Sequence, residues 1–224
     1  MEHYVFEDVQ YVVKLPANSE GKRHPAILFL HGAGTRGTDI ALLKTNPFFT
    51  GTGQAAREDF PFIVFAPQCQ ELTWFDMFER LKRFAKMVAE HPQVDLERVY
   101  LMGTSMGGYG TWQLAMSMAG LFAAIVPICG GGMHWNGALL KDTPVWAFHG
   151  REDPVVPCIE SIMMTESVNA AGGSAKLTLL DHTEHNCWDY AYGQKELYDW
   201  LLSHKRTNSS TEADDRYQGS GQFG

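Results

Sequence analysis

Short apolar runs alternate along the chain with longer segments of helical periodicity. Five runs are almost wholly apolar, at residues 26–30, 62–66, 99–102, 124–128 and 145–148. Runs this short and this apolar are typical of strands buried on both faces, as in a parallel sheet. Residues 176–180 are predicted to form the last strand.

Helix-length segments fill the intervals between these strands. Residues 74–91 carry apolar side chains at spacings of three and four, and Pro92 follows them. Residues 106–118, 157–171 and 194–205 also have a helical pattern. Such alternation indicates right-handed crossovers between parallel strands. The pattern therefore predicts an α/β fold, a single domain on one mostly parallel, doubly wound sheet.

The two ends of the chain depart from this pattern. Residues 4–15 are predicted to form an antiparallel edge strand or hairpin. Residues 205–224 contain no Leu, Ile, Val or Met. Such a segment buries too little apolar area to offset the entropy lost on ordering. We therefore predict one domain over residues 1–204 and a disordered tail over residues 205–224.

Composition narrows the classes of function. The 224 residues suit one α/β domain. A net charge of −8 argues against binding along a nucleic-acid backbone. No apolar stretch is long enough to span a membrane, and the N-terminal residues do not resemble a signal peptide. The four widely spaced cysteines fit reduced thiols. We expect a cytoplasmic protein without nucleic-acid partners or membrane insertion; its oligomeric state is left open.

The candidate nucleophile lies in the pentapeptide Gly103-Thr104-Ser105-Met106-Gly107. This G-x-S-x-G string follows a predicted strand and opens a predicted helix, which places the serine hydroxyl on a tight turn above the sheet. Glycines are expected at both ends because side chains there would clash where strand and helix cross. The string alone also occurs in bystander turns, but this context favours Ser105 as the nucleophile.

A nucleophilic serine needs a base and an orienting carboxylate, which follow it along the chain in the order acid, then histidine. Asp153 lies in the loop after the strand at residues 145–148, and Glu152 is its competitor. We favour Asp153 because Gly-x-x-Asp is the usual arrangement after that strand. Pro154 also fixes the turn there. A simple Asp-Pro turn is the alternative interpretation.

Two histidines in the loop after residues 176–180 compete for the role of base. His185 is favoured over His182 because it lies farther from the strand end, with room to reach Ser105. His182 is expected to pack at the strand end. The chain order Ser105, Asp153, His185 supports this choice.

A further loop is predicted to hold the oxyanion. His31-Gly32-Ala33-Gly34 follows the first parallel strand, from which the second backbone donor comes in such sites. We expect the amides of Ala33 and Met106 to donate, and His31 to organise the loop. Gly32 is expected to contact substrate. Trp188, in the loop after the base, is the best candidate for a pocket wall.

Cysteine and histidine spacing raises two other possibilities. His182-x-x-His185-x-Cys187 could be taken for part of a zinc site, but about four ligands are needed and the others are not evident. Cys129 could be a nucleophile, but a buried thiol at a strand end is the better interpretation. No metal and no cofactor are expected.

Residues 31–34, 103–108, 149–157 and 185–188 together resemble the carboxylesterase, phospholipase and dienelactone hydrolase branch of the α/β-hydrolases. The chain is especially similar to bacterial esterases related to feruloyl and polyhydroxybutyrate-depolymerase-like enzymes. The resemblance extends over about residues 10–204 and implies the fold and the triad, without naming a substrate. Dienelactone hydrolases proper have a cysteine where this chain has Ser105, so their own activity is not expected.

These features predict a serine hydrolase that acts on small or short-chain carboxylic esters. A peptidase or thioesterase using the same triad is an alternative, because fold does not fix substrate. A ligand-binding protein without catalysis is a third possibility. Residues 129–144 are too few and too polar for a large lid, whereas residues 35–59 could supply a wall over the site.

Overall fold

A computed structural model describes residues 1–17, 19, 21–51 and 53–206 of the chain. The predicted tail lies outside the described residues from position 207 onward. Its first two residues are described, and the amide of Arg206 donates a hydrogen bond to the carbonyl of Glu97 at 2.8 Å.

The strands of the described residues form one sheet of eight, in the order β1-β2-β4-β3-β5-β6-β7-β8. The strands are β1 (Glu2–Phe6), β2 (Val9–Lys14), β3 (His24–Leu30), β4 (Ile63–Pro67), β5 (Val94–Thr104), β6 (Ala124–Ile128), β7 (Val145–Gly150) and β8 (Ala175–Leu180). The hairpin β1–β2 adds antiparallel to β4, and the other neighbours are parallel. The predicted parallel sheet with an antiparallel edge is confirmed.

Helices cover both faces of the sheet. They are α1 (Ile40–Lys44), α2 (Phe78–Glu90), α3 (Met106–Ser117), α4 (Ile159–Ala170), α5 (Trp188–Gly193) and α6 (Lys195–Ser203). Buried side chains of α2, α3 and α4 share one apolar cluster with one face, among them Trp112 and Met164. Side chains of α1, α5 and α6, such as Leu43 and Leu201, join the cluster on the opposite face. The sheet is therefore doubly wound, as predicted.

None of these helices, within the residues that the structure describes, is long and apolar enough to cross a membrane.

The prediction for residues 74–91 is wrong at its start, because α2 begins only at Phe78. The preceding turn is fixed by Asp76, whose carboxylate accepts from the amide and hydroxyl of Thr73 at 2.9 and 2.6 Å.

Described residues of the segment 35–59 pack on the sheet. Phe48 is fully buried and stacks on Phe29 with ring centroids 4.2 Å apart. Gln54 donates to the carbonyl of Gly193 and ties this segment to α5 at 2.9 Å. Phe48 and Phe49 lie in the segment that could supply a wall over the site. Both belong to the apolar core on the sheet face that α1, α5 and α6 cover.

Between β6 and β7 lies a short 3₁₀ helix, His134–Leu140, where no helix was expected. It packs on α4: Gly137 lies so close to Ser167 that a Cβ there would meet the serine Oγ at 2.3 Å. The connection is thus anchored to the flank of the domain, in agreement with the predicted absence of a large lid.

Candidate active site

Ser105 lies on the turn that joins β5 to α3, with φ 56° and ψ −116°. A positive φ is rare outside glycine and costs about 1–3 kcal/mol, and it recurs at functional turns. The surrounding glycines make the turn possible. A Cβ on Gly103 would lie 2.3 Å from the carbonyl oxygen of Gly107, and one on Gly107 would lie 2.0 Å from that of Leu30. The expected steric reason for the G-x-S-x-G pattern agrees with these distances.

The structure brings the three predicted triad residues together. His185 Nε2 lies 2.8 Å from Ser105 Oγ, and His185 Nδ1 lies 2.7 Å from Asp153 Oδ2. The Asp153 carboxylate is fully buried, while 19% of the His185 side chain is exposed. A carboxylate that accepts from Nδ1 leaves Nε2 as the acceptor for the serine proton.

Asp153 is held as an anion by several donors. Its Oδ1 accepts the amides of Val155 and Val156 at 2.8 and 2.9 Å. Burial by itself raises the pKa of the carboxyl. The hydrogen bonds from His185, Val156 and Val155 outweigh that effect, so the pKa of Asp153 lies below its ordinary value. The carboxylate is therefore charged at neutral pH.

His185 reaches Asp153 because two loops cross at Gly150. A Cβ on Gly150 would lie 2.1 Å from the carbonyl oxygen of Glu184, so only glycine lets the loop after β8 pass this closely. The amide of Glu152 also donates to the carbonyl of Thr183 at 3.0 Å. These contacts fix the loop immediately before the histidine.

His182 does not pack at the strand end, and that expectation is wrong. Its side chain is 93% exposed, and Nδ1 lies 3.1 Å from Glu152 Oε1. The backbone of His182 has φ 53°, which turns the chain away from β8 toward solvent. Glu152 and His182, the competitors for the roles of acid and base, therefore pair with each other on the surface.

The loop after β3 lies against the nucleophile. A Cβ on Gly32 would lie 3.5 Å from Ser105 Cβ and 3.3 Å from the carbonyl oxygen of Thr104. Within the described part of the chain, the amides of Ala33 and Met106 donate no hydrogen bond. Both amides are thus free of protein acceptors, and their role as oxyanion donors stays a prediction.

His31 holds this loop through backbone groups. Its Nε2 accepts the amide of Cys69 at 2.9 Å, so the hydrogen lies on Nδ1, which donates to the carbonyl of Gly32 at 2.7 Å. The indole of Trp74 donates to the His31 carbonyl at 3.1 Å. Burial lowers the pKa of His31 to about 4, so the ring is neutral. These contacts suit the organising role expected of His31.

Trp188 is the first residue of α5, whereas the sequence placed it in a loop. Its partly buried ring meets that of His185 nearly at right angles, with centroids 5.4 Å apart. It therefore lies beside the candidate base, and the substrate contact remains a proposal.

His149 and Ser161 were not singled out by sequence reasoning, and both lie behind Asp153. His149 is fully buried, with Nε2 at 3.3 Å from Asp153 Oδ2 and Nδ1 at 2.7 Å from Ser161 Oγ. The signal in the sequence was a histidine that ends an apolar strand. A polar ring at the end of β7 had to find partners near the following loop.

Cys129 is a buried strand-end thiol, as expected, although it lies close to the site. Ligand atoms of Cys129, Asp153 and His185 lie within 4.8 Å of one another. Burial and the neighbouring Cys187 raise the pKa of the Cys129 thiol far above its ordinary value. A protonated thiol is a poor metal ligand, and the other two groups bind each other. The suggested His182-His185-Cys187 cluster does not form, since His182 faces solvent and Cys187 is buried.

The chain is similar to known proteins both in its sequence family and in its fold. The model of the Dienelactone hydrolase family matches residues 64–190. No curated protein matches the chain in the search by sequence. Among solved structures, a thermostable esterase is 30% identical with a TM-score of 0.77, over 92% of this chain and 63% of the esterase.

Two more distant structures share the fold. Acylaminoacyl peptidase of Pyrococcus horikoshii is 14% identical, with a TM-score of 0.62 over 93% of this chain and 42% of its own. Est1E from Butyrivibrio proteoclasticus is 12% identical, with a TM-score of 0.67 over 90% of this chain and 98% of its own. The chain thus spans less than two thirds of the thermostable esterase and of the peptidase.

Proposed function

Because the chain belongs to the dienelactone hydrolase family, within the α/β-hydrolase superfamily, we propose that it is a serine esterase for small or short-chain acyl groups. The observation that carries the proposal is the unbroken hydrogen-bonded line from Ser105 through His185 to Asp153, at 2.8 and 2.7 Å. The amides of Ala33 and Met106, which donate no hydrogen bond within the described residues, support it as candidate oxyanion donors.

The reaction is acyl transfer in two halves. His185 Nε2 takes the proton as Ser105 Oγ attacks the ester carbonyl, and the amides of Ala33 and Met106 stabilise the oxyanion. The imidazolium gives the proton to the leaving alcohol, which forms the acyl-enzyme. Water then enters, is deprotonated by His185 and releases the acid. Asp153 stays charged and holds Nδ1–H in place throughout.

The substrate is a small-molecule ester, with Gly32 and Trp188 as proposed contacts. Gly32 borders Ser105, and the ring of Trp188 borders that of His185. An oxygen nucleophile suits simple carboxylic esters, so hydrolysis of dienelactones is not part of the proposal. No cofactor takes part, and we expect the enzyme to act in the cytoplasm, where its free thiols remain reduced.

A peptidase or thioesterase is the second candidate. The fold shared with acylaminoacyl peptidase at 14% identity leaves substrate open. An amide leaving group is harder to expel than an alkoxide, so the ratio of kcat/KM on matched esters, thioesters and anilides separates these activities. We expect the ester to be the best substrate of the three.

Active-site labelling by a fluorophosphonate tests the proposal directly. The wild-type protein should be labelled at Ser105 and should turn over p-nitrophenyl acetate. Ser105→Ala should stay folded, escape labelling and lose about 10³-fold or more in kcat. A ligand-binding protein without catalysis would remain unlabelled in the wild-type form. Turnover by Ser105→Ala near the wild-type rate would refute the nucleophile.

A further inference from the structure

We propose that His149 is a positioning residue of the catalytic acid: its Nε2–H donates to the carbonyl of Val156 and so clamps the loop that carries Asp153, while the ring lies against that carboxylate. The inference rests on the proposed function, because it concerns how the same triad is held. It adds a second histidine behind the first, on the buried side of Asp153.

The Asp153 carboxylate has close neighbours at both of its oxygens. Oδ1 is occupied by the amides of Val155 and Val156, and Oδ2 accepts from His185 Nδ1 at 2.7 Å. His149 Nε2 lies 3.3 Å from the same Oδ2, and both side chains are fully buried. The Nε2–H is directed to the carbonyl of Val156, so the ring contacts the carboxylate as a neighbouring dipole and not as a fourth hydrogen-bond donor.

The tautomer of His149 follows from its partners. Nε2 also lies 2.9 Å from the carbonyl oxygen of Val156, which only accepts, so Nε2 carries the hydrogen. Burial lowers the pKa of His149, despite opposing hydrogen bonds, and the neutral ring acts as a dipole. Its N–H donates to the Val156 carbonyl, and Nε2 lies 3.3 Å from the Asp153 carboxylate.

The peptide groups of Val156 are therefore held at both ends. The amide of Val156 donates to Asp153 Oδ1 at 2.9 Å, while its carbonyl accepts from His149 Nε2 at 2.9 Å. This closes a ring from His149 at the end of β7, through Val156, back to the carboxylate. A loop with φ/ψ freedom is thereby fixed to the last residues of a buried strand, which is the rigidity a catalytic acid needs.

Ser161 links this clamp to the nucleophile. Its Oγ lies 2.7 Å from His149 Nδ1 and 2.9 Å from the carbonyl oxygen of Gly130, and its single hydroxyl hydrogen serves one of these two acceptors at a time. Gly130 lies against the helix of the nucleophile, since a Cβ on it would lie 2.7 Å from Gly108 Cα. A displacement of His149 would thus be felt on both sides of the triad.

Loss of the clamp should lower kcat while leaving KM nearly unchanged, because His149 is buried behind the acid. His149→Leu should lose about 10- to 100-fold in kcat, as expected for a small displacement of a catalytic group. Asp153 would then give its full charge to His185, so the acid limb of kcat/KM should move to higher pH. His149→Gln, which can carry an N–H to the same place, should recover most of the rate.

The experiment measures kcat, KM and the pH profile on p-nitrophenyl acetate for His149→Leu, His149→Gln, Ser161→Ala and His91→Leu. His91 is a partly buried histidine at the end of α2, where its ring packs on Phe65 of β4, and it serves as the control. Wild-type kcat and an unmoved acid limb in folded His149→Leu would overturn the inference. Equal losses in the Leu and Gln variants would do the same.

If His149→Leu fails to fold, Ser161→Ala decides the question. It leaves the ring in place but frees it, and it should lower kcat about 3- to 10-fold with the same movement of the acid limb. An unmoved limb in that variant would contradict the inference. Ser105→Ala, measured in parallel, separates this result from the proposed function. If it keeps turnover, the esterase proposal fails; if it is inactive while the His149 variants match wild type, only the positioning role fails.

Discussion

The two sides of the Ser105 turn contain a buried histidine each and use it differently. On one side, residues 31–36, the loop that we propose binds the oxyanion and here call the oxyanion wall, are held by His31, whose two nitrogens bind only backbone groups. On the other, the acid–base wall (residues 149–156 and 181–187) places His149 against the charged Asp153, which in turn binds His185. One wall is built from backbone geometry and the other from side-chain charge.

This difference predicts different responses to substitution. A neutral, backbone-bonded histidine can be replaced at a cost in stability, because its role is to hold a loop. In the acid–base wall, an isosteric exchange that changes only a charge or a hydrogen should abolish the reaction while the fold persists. The predictions below start with the largest expected effect.

The two histidines of the loop after β8 give the sharpest contrast within one wall. His185→Ala should lose about 10³-fold or more in kcat, because His185 Nε2 is the partner of Ser105 Oγ among the residues that the structure describes. His182→Ala, three residues away, should keep wild-type activity, since its side chain is 93% exposed. Steady-state kinetics on p-nitrophenyl acetate measures both.

The outcome for the pair is informative in either direction. If His182→Ala were the more damaging change in a folded protein, the base would be wrongly assigned. Far-ultraviolet circular dichroism on both variants excludes misfolding as the cause of any loss.

The two neighbouring acids test whether charge is essential in the acid–base wall. Asp153→Asn preserves shape but removes the acceptor for Nδ1–H, so we expect a loss of about 10³-fold in kcat. Glu152→Gln should have little effect, because Glu152 pairs only with the exposed His182. A milder effect of Asp153→Asn than of Glu152→Gln would mean that the wall does not depend on Asp153.

For the oxyanion wall, we expect an effect on how the free energy of unfolding depends on pH. The pKa of His31 is about 4 in the folded protein and about 6.5 in an unfolded chain. As the pH falls from about 6.5 to 4, the unfolded chain takes up a proton that the folded protein refuses. The free energy of unfolding should therefore fall by about 3 kcal/mol, a factor of about 100 in the folding equilibrium, on account of this residue.

His31→Gln has no titrating group at this position and should show a flatter dependence over the same range. Urea unfolding at several pH values from 7 down to 4.5 measures the difference in slope. Equal slopes for the two proteins would show that His31 is not held neutral in the folded state. The contrast between the two walls would then disappear.

The sequence predicted the parts of the fold that depend on continuous burial. The strands β3 to β7 were recognised because both faces of each are covered, which leaves apolar runs without interruption. The short helices α1 and α5 were missed because they are held by neighbours rather than by their own periodicity. Phe48 stacking on Phe29, and Tyr192 of α5 meeting Phe48 at 5.1 Å, are contacts between distant parts of the chain.

The candidate site divides in the same way. Ser105 was predicted from the G-x-S-x-G motif, and Asp153 and His185 from their order along the chain after it, and a sequence displays both properties. His149 was overlooked because its partner Ser161 lies on the next helix and its contact with Asp153 depends on how the loop after β7 closes. Likewise, the exposure of His182 goes with a positive φ, which a histidine at this position of the sequence does not indicate.

The smallest expected effect is the preference for acyl length, which depends on how open the site is between the two walls. The connection between β6 and β7 packs on α4, with Trp135 69% exposed, so it does not close over Ser105 as a large lid would. Each methylene that is buried in a pocket contributes about 0.8 kcal/mol, or about fourfold in kcat/KM. We expect a rise of this size from acetyl toward butyryl esters and then a fall, because a shallow pocket buries only the first carbons. Trp188→Ala should flatten the rise if its ring forms the wall, whereas Trp135→Ala should not. Rates that climb steadily to palmitoyl esters, or that jump at a lipid surface, would contradict an open gap between the walls.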